Sequence, residues 1–570
     1  MNSGKIHIKY ILRRLTAALL CLCISLFSFT ACSKDPVIIK LPLNSLPECL
    51  DPQISDSLDS ENIINNCFEG LVRINEKGEI VPGVAKSWNI SGNGLTYTFN
   101  LDTKARWHLP KHLDDILGKD YEKKFDTRVT ASDFEFALRR AVDPATESPM
   151  ANALISIDGA KEIMNGSAKS DTLGVSAVND TTLVIHLSKP GINLLSALAL
   201  PVSMPCNEKF FNATVGRYGL ENELILSNGP YYIKKIDEET GITLAKNDDY
   251  KGHFEAVADT AKFVMPEAFV NNGSNEDEED ITVPPVAQLM LLDEGGYDIG
   301  NITSSDVRDL EKSAEINEYK NTVKLLCLNN SSKYFKDKNL RLAVMHATDI
   351  SLLRKHGQKA EGIVPACCDL VPGSSYRASS NIVSPLKFDF SSAESFAASF
   401  TEAFTEENGK LSLPISFVCL KEDEEQVKSM LQNWQKLFGV SLSVTIETFD
   451  SQEDLNETIK SGSYDAAYTQ ITASESLVSD FLNRFSSGNR LNIINLKSDA
   501  YDTLIDRIYN AADEAALLKA AKEAEEFLIN SASILPVAEE GSYLAVKKSA
   551  KEVTVRPSGT VYALYTSKGK

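Results

Sequence analysis

Residues 50–73 read LDPQISDSLDSENIINNCFEGLVR. Pro52 biases Asp51 toward an extended conformation. The stretch therefore starts extended, crosses a polar loop, enters an amphipathic segment near Ser60 and stops at a Phe68-Glu69-Gly70-Leu71 turn. No catalytic grouping is visible in it, and it reads as part of a frame that holds a ligand. Outward from it, LTYTFNL (Leu95–Leu101) and TLVIHL (Thr182–Leu187) alternate at period two, the pattern of half-buried strands, and Ser91-Gly92-Asn93-Gly94 supplies a turn before the first. Thr130-Ala131-Ser132-Asp133 is a capping run ahead of FEFALRRAV, and Pro144 ends that helix. AADEAALLKAAKEAEEFLIN (Ala511–Asn530) combines high helix propensity with an apolar face at three- and four-residue steps. Short strands mixed with separated helices point to α/β lobes rather than a bundle or a sandwich. At 570 residues more than one core is expected, because single cores stop growing near ~250–300 residues.

The 50–73 stretch resembles the start of the family 5 solute-binding proteins, the extracytoplasmic receptors of peptide-type ABC importers. The resemblance continues through VPGVAKSWNISGNGLTYTFNLDTKARWH (81–108), VTASDFEFALRRAVDP (129–144), SNGPYYI and KNDDYKG (227–252), GGYDIG (295–300), KDKNLRLAVMHATD (336–349), and QNWQKLFGVSLSV with SGSYDAAY (432–468). These strings keep the family's order and spacing, and the resemblance they carry covers most of the chain. They imply a bilobal periplasmic-binding-protein fold of the class II or cluster C type, with an extra inserted domain and a two-strand hinge. On this sequence lobe I comprises 33–68, 190–325 and 537–570, the inserted domain 69–189, and lobe II 326–536. TVKLLCL and SILPVAEE are the expected hinge strands.

Lys5, Lys9, Arg13 and Arg14 precede an apolar run, Leu15–Phe29, that ends at Thr30-Ala31-Cys32, the layout of a secretory signal. The run is shorter than the ~20 residues a spanning helix needs. Two readings stand: an ordinary signal with an incidental cysteine, or a bacterial lipoprotein signal, residues 1–31, with Cys32 lipidated. The small residues before Cys32 favour the second, while Phe29 departs from the usual aliphatic residue. The chain is acidic, with 79 acidic against 58 basic residues and a net charge of −21. Nucleic acid is excluded as a partner, since binding it rests on Lys and Arg neutralising phosphates and no basic block is present. Beyond Cys32 seven cysteines remain at irregular spacing, which makes no disulfide framework. Cys327 and Cys419 lie in apolar strands and read as structural. The consecutive acids Glu276–Asp280 read as a solvated loop; a calcium loop needs alternating ligands and a turn glycine. His108 and His112 are separated by Pro110 and do not share a helical face as a paired metal site requires. No cofactor or metal is called for. Hydrolase elbows, zinc-protease motifs and phosphate loops are missing, so the chain does not read as an enzyme.

In the oligopeptide receptors the groups that grip the peptide's ends follow a Tyr-Asp of the second lobe, here Tyr464-Asp465. Carried over without a gap, the carboxylate-binding arginine falls on Tyr468, the tryptophan on Ile471, the hinge-side cysteine on Thr472 and the amine-binding aspartate on Ser474. Both charged anchors are thus absent from their expected places. Glu475 is placed to take over the amine if its loop shifts; otherwise it is an exposed side chain. Cys327 matches the usual disulfide partner of the cysteine at 472 and is left unpaired. The acidic contact of the facing lobe falls on Asp56, followed by Ser57, with capping of the next helix as the alternative role of that loop. The candidate ligand contacts are Asp56, Ser57, Tyr468, Gln470, Ile471, Thr472, Ser474 and Glu475.

The expected protein is a monomeric, lipid-anchored receptor outside the cytoplasm of a bacterium. It captures oligopeptides between two lobes and delivers them to the transmembrane permease subunits of an importer. A non-peptide solute or modified peptide is the alternative ligand, and a surface adhesin or chaperone-like protein on the same fold is the alternative role.

Overall fold

A computed structural model describes residues 36–570 apart from 56, 76–78, 110–117, 120–124, 222–223, 255, 266–295, 303–306, 311, 356, 474–476, 552–553, 556–560, 563–566 and 569–570. The signal segment with Cys32, Asp56, His112, the acidic run 276–280, Ser474 and Glu475 lie outside the described residues.

Strand β1 (Ile38–Pro42) alternates half-buried and buried positions, as a strand with one covered face does. Helix α1 (Leu58–Cys67) follows, two residues ahead of the start expected at Ser60 because Ser57 supplies the cap: its hydroxyl accepts the Ser60 N–H at 3.1 Å. Strands β2 (Ala85–Ile90), β3 (Thr96–Leu101), β4 (Val175–Asn179) and β5 (Thr182–His186) form an antiparallel sheet in the order β2-β3-β5-β4. The expected turn closes β2 onto β3, with the Gly94 N–H donating to the Ser91 carbonyl at 2.8 Å. Helix α2 (Ala131–Val142) packs on this sheet and is started by the expected capping run, in which the Thr130 N–H donates to the Asp133 carboxylate at 2.7 Å.

Strands β6 (Tyr231–Asp237), β7 (Gly241–Lys246) and β8 (Thr260–Val264) join β1 in a second sheet, order β1-β8-β7-β6, with β1 parallel to β8. The third sheet runs β9-β14-β10-β13-β11-β12, where β9 is Ile299–Ile302, β10 Ala314–Leu328, β11 Leu413–Leu420, β12 Leu442–Phe449, β13 Ala466–Thr472 and β14 Ile534–Lys547. The two strands expected to link the lobes pair with each other, from Thr322 opposite Glu540 to Cys327 opposite Ile534, and the ladder slips between Tyr319 and Thr322. Helices α3 (Lys338–His346), α4 (Glu424–Phe438), α5 (Val478–Asn483), α6 (Asp499–Tyr509) and α7 (Glu514–Asn530) belong to the segments around this sheet. Trp434 of α4 is fully buried, stacked edge-on to Phe417 and Phe335, with its indole N–H donating to Thr348 at 3.0 Å. Helix α7 begins three residues after Ala511 because Asp513 caps it through the Ala516 N–H.

Several strings that carry the family resemblance meet in one place. The Glu69 N–H donates to the Asn228 side chain at 3.0 Å, and the Asn228 amide donates back to the Glu69 carbonyl at 2.8 Å. Asn247 donates to the Gly229 carbonyl at 2.8 Å, and the Tyr250 hydroxyl to the Glu69 carboxylate at 2.7 Å. FEGL, SNGPYY and KNDDY thus satisfy one another's buried polar groups, the requirement that fixes their sequences.

Two buried carboxyls make stability depend on pH. Burial pushes Asp59 and Asp133 up to about 6 each, against the N–H donors that favour their ionised forms. Because the folded state then holds protons that the unfolded chain has released, each contribution is full below about pH 4 and is lost as pH rises toward 6. Urea midpoints measured at pH 4.5 and pH 7 should therefore differ less in Asp133→Asn than in the unsubstituted protein; an unchanged difference would refute the assignment.

Candidate functional site

Strand β13 carries four of the candidate contacts. It pairs antiparallel with β10 along its whole length, Thr322 opposite Thr472 through Leu328 opposite Ala466. On its other edge β11 pairs only with Ala466–Tyr468. Thr469–Thr472 therefore has a strand partner on one edge and none on the other among the described residues. The phase of the ladder follows from one bond: the Ala473 N–H donates to the Asn321 carbonyl at 2.8 Å, so 473 and 321 are a hydrogen-bonded pair. By alternation the main-chain groups of Ile471 and Thr469 point at β10, and those of Gln470 and Thr472 point at the open edge. Arg484 reaches the Thr472 carbonyl from that side at 3.4 Å.

Side chains alternate across the same strand. Thr472, Gln470 and Tyr468 share a face with Thr322 and Lys324 of β10, while Ile471 lies on the opposite face with Val323 and is 5 % exposed. Tyr468 is 1 % exposed, its hydroxyl donating to the Leu353 carbonyl at 3.2 Å inside the lobe. Gln470 and Thr472 are half-buried. The position whose arginine is missing nevertheless has a cation beside it: the Lys324 ammonium lies 5.8 Å over the Tyr468 ring. Lys324 donates to both Asp423 oxygens at 3.1 and 3.2 Å, with Glu540 at 3.8 Å and Glu422 at 3.9 Å. Burial raises the Asp423 carboxyl, and Lys324 opposes that shift. Reading the sequence strand by strand passed over Lys324; the available signal was a lone lysine inside the apolar run TVKLLCL.

Register corrects one carried-over pairing. Thr472 faces Thr322, with their hydroxyls 2.9 Å apart, whereas Cys327 faces Ala467. Cys327 is five residues farther along β10, roughly 17 Å away and on the other face of the strand, so it cannot be the partner of a residue at 472. No disulfide occurs among the described cysteines.

The facing segment is held by a clamp. Arg140 of α2 pairs through Nη2 with Asp51, donates through Nη1 to Asp51 at 3.0 Å and to Gln53 at 2.7 Å, and stacks over Phe211 at 4.3 Å. Gln53 donates in turn to the Val202 and Met204 carbonyls. Gly219 closes against this loop at φ +78°, where a Cβ would lie 2.4 Å from the Asp51 nitrogen. Ser57, downstream of the clamp, lines a small apolar pocket with Pro52, Met150 and Leu491. The described contacts bring Ser57 near residues 149–150 and 491; they do not bring it to β13.

Segments distant in sequence close around this region. Asn152 donates to Asn483 at 2.6 Å, Asn193 to the Ile508 carbonyl at 2.8 Å, and Asn489 to the Pro149 carbonyl at 3.1 Å, while Lys161 pairs with Asp506 and Arg490 with the Ile54 carbonyl. Among the described residues no group of three or more His, Cys, Asp or Glu is arranged to hold a metal ion. His108 stacks on Tyr232 at 3.8 Å.

Comparison with known proteins agrees with this arrangement. The chain is 25 % identical over 511 residues to the dipeptide-binding protein DppE of Bacillus subtilis, covering 86 % of this chain and 84 % of that one. The structure of Listeria monocytogenes OppA bound to peptide superposes with a TM-score of 0.74 at 21 % identity, covering 94 % of this chain and all of that one. Haemophilus influenzae OppA in complex with RPPGFSPFR gives 0.73 at 22 % identity over the same share of this chain and all of its own. The fold is therefore the bilobal periplasmic-binding fold of these substrate-binding domains. The model of the bacterial extracellular solute-binding proteins, family 5, matches residues 79–492, and with the fold and the motif contacts above this chain belongs to that family.

Proposed function

We propose that this protein captures short peptides between its lobes and hands them to the permease of an ABC importer. The observation that carries the reading is the open edge of β13, where the main-chain groups of Gln470 and Thr472 are free of any strand partner among the described residues. An extended ligand laid along that edge gains hydrogen bonds that do not depend on its sequence. With no arginine at 468 and no aspartate at 474, the backbone supplies most of the grip, and the charge set Lys324, Asp423 and Glu540 flanks the ligand strand. Asp56, Ser57, Ser474 and Glu475 complete the contact set. Lobe I comprises 33–68, 190–325 and 537–570, the inserted domain 69–189, and lobe II 326–536, with β10 and β14 as the hinge. Ligand touching both lobes favours the closed form, which the permease recognises. The chain acts as a monomer without enzymatic activity, held to the membrane through a lipid on Cys32.

Native mass spectrometry of the protein isolated without denaturation, followed by release and sequencing of what it carries, tests this. A ladder of short peptides is the expected result; a single non-peptide mass would overturn the ligand class. A variant separates backbone from side-chain recognition. Gln470→Pro removes an N–H that points away from β10 and spares the ladder. It should weaken binding of the recovered peptides by about tenfold, roughly the worth of one main-chain hydrogen bond, whereas Gln470→Ala should leave affinity within about twofold. Equal losses in the two variants would place recognition in the side chain instead.

A further inference from the structure

A second pocket, of about 570 Å³, opens between the start of α3, the 495–498 loop and the end of α7. Its lining includes Lys336, Lys338, Arg341 and Lys497 and no acidic residue, in a chain where acids outnumber lysines and arginines by 79 to 58. None of the four makes an ion pair among the described residues. Elsewhere on this surface lysine and arginine commonly find carboxylates, as in Lys161 with Asp506, Lys421 with Asp450, Lys428 with Glu424 and Arg507 with Glu523. Asp337, between Lys336 and Lys338, acts on Arg341 and offsets part of this charge, but no carboxylate lines the cavity; the remaining like charges repel one another, a cost that an anion in the cavity removes.

The pocket also has a fixed donor. Arg341 is only 8 % exposed, and its guanidinium is locked by three carbonyls: Nε donates to Ser531 at 3.0 Å, and Nη1 to Phe335 at 2.7 Å and Lys336 at 3.1 Å. Nη2 has no acceptor among the described residues. Lys336, Lys338 and Lys497 are exposed at their tips and free to converge on a bound group, as lysine does when it serves phosphate as a point charge. Phe527 gives one apolar wall. The volume falls within the ~300–1,000 Å³ of small-ligand sites.

We propose that this pocket binds a multiply charged phosphoryl group. A phosphoryl group carries about two negative charges near neutral pH, which suits four cations better than a single carboxylate does, and a concave site with one pinned guanidinium suits a compact ligand better than a protein surface. None of its lining residues belongs to the proposed peptide contacts, so the two readings fail separately.

Calorimetric titration of the full-length protein with inorganic pyrophosphate at low salt tests it. One saturable site is expected, weakened by about tenfold or more in Lys338→Ala/Lys497→Ala, the loss of two unscreened charge contacts, and weakened again at 0.15 M salt, where the Debye length is about 8 Å. Both lysines are exposed, so the variant's urea midpoint and peptide binding should be unchanged. Vesicles containing phosphatidic acid, whose phosphomonoester carries the same multiple charge, with phosphatidylcholine as control, separate the sources: co-sedimentation that pyrophosphate displaces assigns a lipid headgroup, and its absence alongside pyrophosphate binding assigns a soluble phosphoryl compound. No saturable pyrophosphate binding, or equal affinity in the double variant, overturns the proposal. Tighter binding of polyglutamate than of pyrophosphate overturns it in favour of an acidic protein segment.

Discussion

Oxidised Thr322→Cys/Thr472→Cys protein should contain a new disulfide and unfold at a higher urea concentration, with a gain of roughly 2–4 kcal/mol. The two threonines are directly opposite across β10 and β13, with hydroxyls 2.9 Å apart. The pair is of the non-hydrogen-bonded kind, because the bonded pair is Ala473 with Asn321. Such pairs have Cα atoms about 4.5 Å apart, within the ~4.4–6.8 Å a disulfide spans though at its short end. The bridge would close a loop of about 150 residues, for which chain entropy alone gives an upper value near 5 kcal/mol; strain at the short separation takes part of that. Seven buried or half-buried thiols are present among the described residues of a chain with ten cysteines, so thiol counting in denaturant must show two more thiols after reduction than in the oxidised variant. If the new thiols stay free, or if one pairs with Cys327, the register of β13 against β10 is wrong and the assignment of its open edge falls with it.

That register marks where sequence reading stopped. Alternation in TYTFNL and TLVIHL, the capping run at Thr130, the helix pattern within Ala511–Asn530 and the order of the motif strings are local signals, and they led to the right strands, helices and fold. Which residue of β10 faces Thr472 is not local. The carried-over partner, Cys327, and the observed one, Thr322, lie in the same apolar strand, and only the pairing between strands distinguishes them. The same limit hid Lys324, whose closeness to Tyr468 exists only across two strands. The roles of the motif strings were invisible for a related reason. Glu69, Asn228, Asn247 and Tyr250 answer one another's hydrogen-bonding needs from segments up to 181 residues apart, so no window of sequence contains the reason for any of them.

The LDPQ and ALRR strings have a comparable mutual dependence, and breaking it should have the largest destabilising effect. Arg140→Met is expected to cost about 3–5 kcal/mol, the usual loss when one member of a buried ion pair is removed and the other is left uncompensated. Asp51 is 1 % exposed and Gln53 likewise 1 %. Without the guanidinium the Asp51 carboxylate keeps one N–H donor, from Gln53, and the Gln53 side-chain oxygen loses its donor. The methionine stem fills part of the volume over Phe211, so packing loss is the smaller share of the effect. Adding Asp51→Asn should recover part of the stability, since no charge is then stranded, and that recovery separates electrostatics from packing in a double-mutant cycle. The consequence reaches function because the clamped loop leads directly to Ser57 and the start of α1. If the loop carries ligand contacts as proposed, loosening it displaces them, so Arg140→Met that remains folded at low temperature should bind peptide more weakly while the β13 edge is intact. A cost below about 1 kcal/mol would mean that the pair is solvent-screened like an ordinary surface bridge, and the clamp would have to be assigned to Gln53 and its carbonyl partners instead.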